Sequence, residues 1–320
     1  MTDHALSFET DLTKLDVATW EERIDDIAEE YGYFEPLGDD HMVAFLDAGP
    51  KLLVTFETYE TISKLNPDAE PRGFRFARED GWSVLCLVAK QESWFRHPAV
   101  YGYFDRLVDD GFFEDFDNVV FHGAHSCGYA AATYSVAAPG ATVLALRPQA
   151  TLDPRIAGFD PRYRSERRTD FTSRYGYAPD MIDGSNHTFI AFDPAQRHDA
   201  IHAALFTRKN VTQLRCHSLS WRIDAAFDAM GIHDQLIRDA MNGTLTAKAF
   251  AKAMRARWNQ KTVVRTLFQR AFQTGHKQLA ANVCAFVLRQ SDDPYFAEKL
   301  KELSSQGITP SRPLTPEAAE

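Results

Sequence analysis

The chain has 320 residues, enough for one large domain with an appendage or for two domains. Hydrophobic content of 44% and charged content of 25% are those of an ordinary globular protein, and a formal net charge of −10 argues against general nucleic-acid binding, which wants a basic face. No run of about 18 apolar residues occurs, so no membrane span is expected. The start, Met1-Thr2-Asp3-His4-Ala5, lacks the basic and apolar regions of a signal peptide. Cys86, Cys127, Cys216 and Cys284 stand singly with no C-x-x-C, so neither a zinc site nor a disulfide framework is indicated, and the expected location is the reducing cytoplasm.

Residues 1–35 read as an amphipathic helical segment, with Trp20, Ile24, Ile27 and Ala28 at helical spacing among acidic residues. A core of 36–221 follows. His41–Leu46 reads as a strand that turns at Asp47-Ala48-Gly49-Pro50 into the buried strand Leu52–Phe56. Residues 66–81 read as turn-rich, 83–88 as a strand and 99–109 as a helix with Tyr101, Phe104, Leu107 and Val108 on one face. Further strands are expected at 118–123, 142–146, 188–192 and 211–215, with a helix running from Asp199 through Leu205. Residues 150–186 show no periodicity and read as a lid insertion whose arginines crowd its middle. Residues 222–303 read as a helical extension, and 304–320, with three prolines in its last stretch, as a disordered tail.

The stretch Asn118–Ala132 carries the chemistry. An apolar strand, Val119-Val120-Phe121, runs through small residues into an alanine-rich helix, which sets Ser126 on a sharp strand-to-helix turn beside open helix N–H groups. The pentapeptide Ala124-His125-Ser126-Cys127-Gly128 resembles the G-x-S-x-G nucleophile elbow of the α/β-hydrolase superfamily, with alanine in the first small position. Ser126, Asp193 and His217 each follow a strand expected from the sequence, in the order of that superfamily's triads; Asp199 is a rival for the acid. The segments Gly128–Ala131, Pro148–Asp153 and Trp94-Phe95 look like a bacterial branch of the superfamily found near glycan and glycosyltransferase functions.

The resemblance implies a mostly parallel α/β sheet of hydrolase type carrying a helical C-terminal extension. It implies Ser126 as nucleophile, Asp193 and His217 as its partners, and backbone N–H groups of Cys127 and Thr58 as the oxyanion hole. Arg167 and Arg168, in the lid, would face an anionic substrate or leaving group. The activity implied is hydrolysis of an ester or thioester, of a small-molecule or glycan-linked acyl substrate. Two other readings stay open: an acyltransferase on the same triad, and a non-catalytic binding or scaffold protein that engages a protein partner through its C-terminal helices. Among these helices Trp258, Phe268, Phe272 and Phe286 are candidate contact residues, with internal core as the default. His198 and His202 share a helix face but lack an accompanying glutamate, so no metal or cofactor is expected. Cys127 reads as a small buried hydrophobe.

Overall fold

A computed structural model of the chain describes residues 6, 8 and 11–311, the Arg167 side chain excepted. The chain divides into two compact units, residues 1–252 and 253–320.

The larger unit is built on one eight-stranded sheet: β1 (Gly32–Leu37), β2 (His41–Leu46), β3 (Lys51–Thr58), β4 (Ser83–Ala89), β5 (Asn118–Ala124), β6 (Thr142–Leu146), β7 (His187–Phe192) and β8 (Val211–Arg215). Their spatial order is β1-β2-β4-β3-β5-β6-β7-β8. Only β2 opposes its neighbours; β4, β3 and β5 through β8 are parallel. The parallel strands are apolar on both faces because helices cover both, which is why β4 is buried along its whole length. The hydrophobic strands expected from the sequence all lie in this sheet. β1 was not expected: Pro36 and Glu35 break its pattern, and it sits at the sheet edge where a missing N–H is tolerated.

The sheet is flanked by α1 (Val17–Tyr31), α2 (Tyr59–Leu65), α3 (Arg72–Asp80), α4 (Pro98–Asp109) and α5 (Ser126–Tyr134), with helices Arg197–Leu205, Ile223–Ala229 and His233–Met241 later in the chain. Part of the stretch expected to be turns, 66–81, is therefore helical: α3 buries Gly73, Phe74, Phe76 and Ala77. Gly73 lets it approach closely, since a Cβ there would lie 2.6 Å from Cys86 Sγ on β4. Every residue of α5 is buried, and its alanines allow it to sit tightly on the sheet. Tyr134 Oη donates to Phe95 O at 2.6 Å and Tyr129 Oη to Tyr175 O at 2.8 Å, tying α5 to the loops around it. Residues 150–186 hold only short helical turns.

The smaller unit packs helices Lys261–Gln273, Lys277–Leu288 and Pro294–Ser305 around Val264, Phe268, Cys284, Phe296, Leu300 and Leu303. Phe268 is internal, while Trp258, Phe272 and Phe286 are partly buried against the same core. Of the expected disordered tail, 312–320 lies outside the described residues. Among the described residues no helix is long and apolar enough to cross a membrane.

Candidate functional site

β3 and β5 are neighbours, but β4 lies on one side of β3 and β5 on the other. Chain connections therefore diverge at the β3/β5 edge, the place where open α/β sheets bind ligands. A cavity of about 420 Å³ opens there, lined by Glu57 and Thr58 of β3, by His122 through Cys127, and by Trp221 and Asp224.

The strained residue of the turn between β5 and α5 is His125, with φ 59° and ψ −124°. A non-glycine residue is held there only when its surroundings over-determine it. Two contacts do so: His125 N donates to Leu146 O on β6 at 2.8 Å, and His125 O accepts the first α5 hydrogen bond from Tyr129 N at 2.9 Å. The turn also needs Gly123, two residues earlier, where a Cβ would lie 2.3 Å from Cys127 O. The elbow is thus centred one residue before the serine singled out from the sequence, and Ser126 is the first residue of α5.

The three residues of the expected triad are not joined by hydrogen bonds among the described residues. Ser126 is buried, and its hydroxyl lies against the Glu92 carboxyl. Burial raises the Glu92 pKa and the Ser126 hydroxyl partly offsets this. Asp193 is buried after β7, and its two oxygens accept backbone N–H from Ala195 at 3.0 Å and Ser220 at 2.8 Å. His217 is exposed in the loop after β8, and Trp221, farther along that loop, lines the cavity instead. The rival acid, Asp199, accepts from Arg162 Nη1 at 2.7 Å. Its neighbour on the same helix, His202, is fully buried, 3.2 Å from Asp160 through Nε2, and accepts from Ala150 N through Nδ1. Among the described residues no cluster could hold a metal ion.

Thr58 and Cys127 both line the cavity. Thr58 caps α2, its hydroxyl accepting from Thr61 N at 3.2 Å. Cys127 is buried, which pushes its thiol well above the ordinary range and leaves it unreactive. Arg168 is exposed and absent from the cavity lining. The Arg167 side chain lies outside what is described. The arginine that reaches the elbow is Arg147, at the end of β6. It donates to His125 Nδ1, lies 3.7 Å from Asp199 Oδ2 through Nε, and stacks 6.0 Å from the Trp221 ring.

The cavity floor carries a second polar group that the sequence did not reveal. Arg72, the first residue of α3, donates through Nη2 to both Asp228 oxygens at 2.9 Å and through Nη1 to Asp234 at 2.6 Å. Its backbone N–H donates to Glu57 Oε1 at 2.9 Å, and Thr55 Oγ1 donates to the same oxygen at 3.1 Å. Burial pushes the Glu57 carboxyl up to about 7 despite the nearby Arg72 charge. Behind it, His233 Nδ1 lies 2.8 Å from Asp228 Oδ1 and its Nε2 lies 3.0 Å from His122 Nε2, while His122 Nδ1 donates to Leu144 O at 2.9 Å. Burial opposes ionisation of Asp228, but the His233 hydrogen bond and the Arg72 charge hold its carboxyl at about 2. Burial pulls both imidazoles below their ordinary range, His122 the further. The one sequence signal for this group was His122 itself, a histidine closing an otherwise apolar strand.

No family model matches the chain. No curated protein matches it either. Among solved structures it is similar to a thermostable carboxylesterase cloned from a metagenomic library (12% identity, 76% of this chain and 99% of that one, TM-score 0.41). It is also similar to brefeldin A esterase, a bacterial homologue of human hormone-sensitive lipase (12%, 78% and 89%, TM-score 0.41). A third is the capsule O-acetyltransferase of Neisseria meningitidis serogroup A (10%, 61% and 92%, TM-score 0.38). What decides the architecture is internal: the strand order, the single reversed strand, and the strained strand-to-helix turn after β5. The fold is that of the α/β-hydrolase superfamily.

In an α/β-hydrolase the strained residue of the elbow presents the nucleophile. Here it presents an imidazole. The His125 ring lies between Arg147, against its Nδ1, and Asp224, whose Oδ1 is 4.0 Å from its Nε2. The backbone N–H that follows the strained residue is that of Ser126.

Proposed function

We propose that this protein binds a small molecule in the cavity at the β3/β5 edge and does not turn it over through a serine–histidine–aspartate triad. The observation that carries this reading is the His125 elbow. Serine is absent from the strained position, and the imidazole there lies against Arg147. The carboxylate after β7 is engaged by backbone N–H groups, and the histidine after β8 is exposed. A serine hydroxyl without a base that takes its proton is a poor nucleophile. It shares with the non-catalytic alternative read from the sequence the lack of a working triad, but puts a small molecule in the cavity where that alternative had a protein partner on the C-terminal helices.

A second reading is favoured by one contact. Ser126 and Glu92 both line the cavity, and the raised Glu92 carboxyl touches the serine hydroxyl. With Glu92 as base in place of a histidine, Ser126 would attack an ester or thioester, and an acyl acceptor other than water would make the protein a transferase. A glycan-linked acyl substrate and a cytoplasmic setting belong to that reading.

Incubation with a fluorophosphonate probe separates the two. The first reading expects no covalent labelling of the wild-type protein. Labelling that disappears in Ser126→Ala overturns it in favour of ester chemistry.

A further inference from the structure

Three contacts run through the two buried imidazoles of the cavity floor: His122 Nδ1 to Leu144 O, His122 Nε2 to His233 Nε2, and His233 Nδ1 to Asp228 Oδ1. A carbonyl and a carboxylate only accept, so both end nitrogens must carry hydrogens. The central contact needs a third hydrogen between the two Nε2 atoms. Two neutral imidazoles bring two hydrogens. The chain is therefore complete only when it takes up one additional proton.

The charges bonded to Arg72 and Asp234 agree with that count. Three carboxyls (Glu57, Asp228 and Asp234) stand against two guanidiniums: Arg72, bonded to Asp228 and Asp234, and Arg75, 2.7 Å from Asp234. One proton neutralises the set, and it has two places to reside, the Glu57 carboxyl or the imidazole pair. Arg72 links them, since its backbone N–H holds Glu57 and its guanidinium holds the acceptor of His233. Glu57 is faced besides by Thr55 on its own strand, Cys86 of β4, Cys127 of α5 and Asp228 of helix Ile223–Ala229. His233 is faced by Asp228, Asp234, Arg72 and His122.

We propose that the cavity floor is an acid–base site, in which Glu57 exchanges a proton with the bound ligand and the Asp228–His233–His122 chain is the alternative seat of that proton. It rests on the reading of this cavity as a ligand site and is independent of Ser126. Because the floor is neutral when it holds its proton, the ligand class is a neutral molecule bearing a proton it can give up, on a hydroxyl or an activated carbon. The near-neutral titration of Glu57 suits such an exchange.

Two measurements on the full chain test the proposal. The first uses 5-nitrobenzisoxazole. The Glu57 carboxylate removes the C3 proton, that electron pair forms the C≡N bond, the N–O bond breaks, and the phenolate leaves. Turnover is expected to rise with pH to a plateau above about 7 and to fall at least tenfold in Glu57→Gln. The second follows the His233 ring nitrogens by NMR across pH 5–8. Ionised Glu57 favours the protonated imidazole pair, so the titration midpoint in Glu57→Gln is expected to lie below that of the wild type. Turnover equal in the two proteins, or identical His233 midpoints, overturns the proposal. Covalent labelling of Ser126 overturns the earlier reading and leaves this one untouched, so the two fail separately.

Discussion

Arg72 and Asp234 lie 162 residues apart in the chain, yet their side chains meet at 2.6 Å. The pair closes the floor of the cavity by pinning α3 to helix His233–Met241, and the same guanidinium grips Asp228 at 2.9 Å. Removing one partner of such a pair costs more than its net worth, because the other charge is left without a counter-ion. Asp228→Asn should therefore destabilise the protein by about 2 kcal/mol, discounted from the fully buried case because Asp228 keeps some solvent contact. Asp26→Asn, which breaks the exposed 3.3 Å pair with Arg23, should change stability by less than about 0.5 kcal/mol. Urea unfolding of the two variants beside the wild type measures the difference; equal effects would refute it.

Glu57 makes stability depend on pH. Its carboxyl is raised from the ordinary value of 4.5 to about 7, so the folded protein binds this proton more tightly than the unfolded chain does. The associated stability is fully present below about pH 4.5 and is lost as pH rises through 7, on the order of 3 kcal/mol at most. Glu57→Gln removes that dependence. The difference in unfolding free energy, variant minus wild type, should rise steadily between pH 5 and 7.5 and then level off. A difference that is flat over this range would show that Glu57 is not raised.

The register of the elbow is testable by exchanging its small residues. Gly123→Ala puts a Cβ against the Cys127 carbonyl and should cost several kcal/mol or prevent folding. Ala124→Gly, at the position first matched to the elbow glycine, should cost about 1 kcal/mol or less. Thermal unfolding followed by circular dichroism distinguishes them. The reverse order of effects would return the centre of the turn to Ser126.

The sheet was legible because a strand buried on both faces has to be written in apolar residues: Leu52–Phe56, Ser83–Val88 and Ala141–Leu146 can hardly be anything else. α3 was hidden by its composition, since Arg72, Gly73, Arg75, Arg78, Glu79 and Asp80 outnumber the aromatic residues that bury it. The elbow was read one residue late because small residues flank Ser126 on both sides, whereas the geometric demand falls on Gly123, whose need for a missing Cβ exists only after the chain has doubled back. The acid–base floor was illegible for a different reason. Its members come from β3, α3, β5 and two helices beyond β8, and nothing in local spacing links a carboxyl at 57 to an imidazole at 233.

His125 keeps its unfavourable backbone angles without a serine to show for them. The turn is enforced from outside, by β6 accepting its N–H and by α5 beginning on its carbonyl, so the posture does not depend on which side chain occupies the position. Position 125 is in effect a mounting bracket: whatever group is fixed there is held out over the cavity by the scaffold. A protein engineer could exchange the imidazole for a thiol, a hydroxyl or a carboxylate and inherit the presentation, with the partner groups left to be built around it.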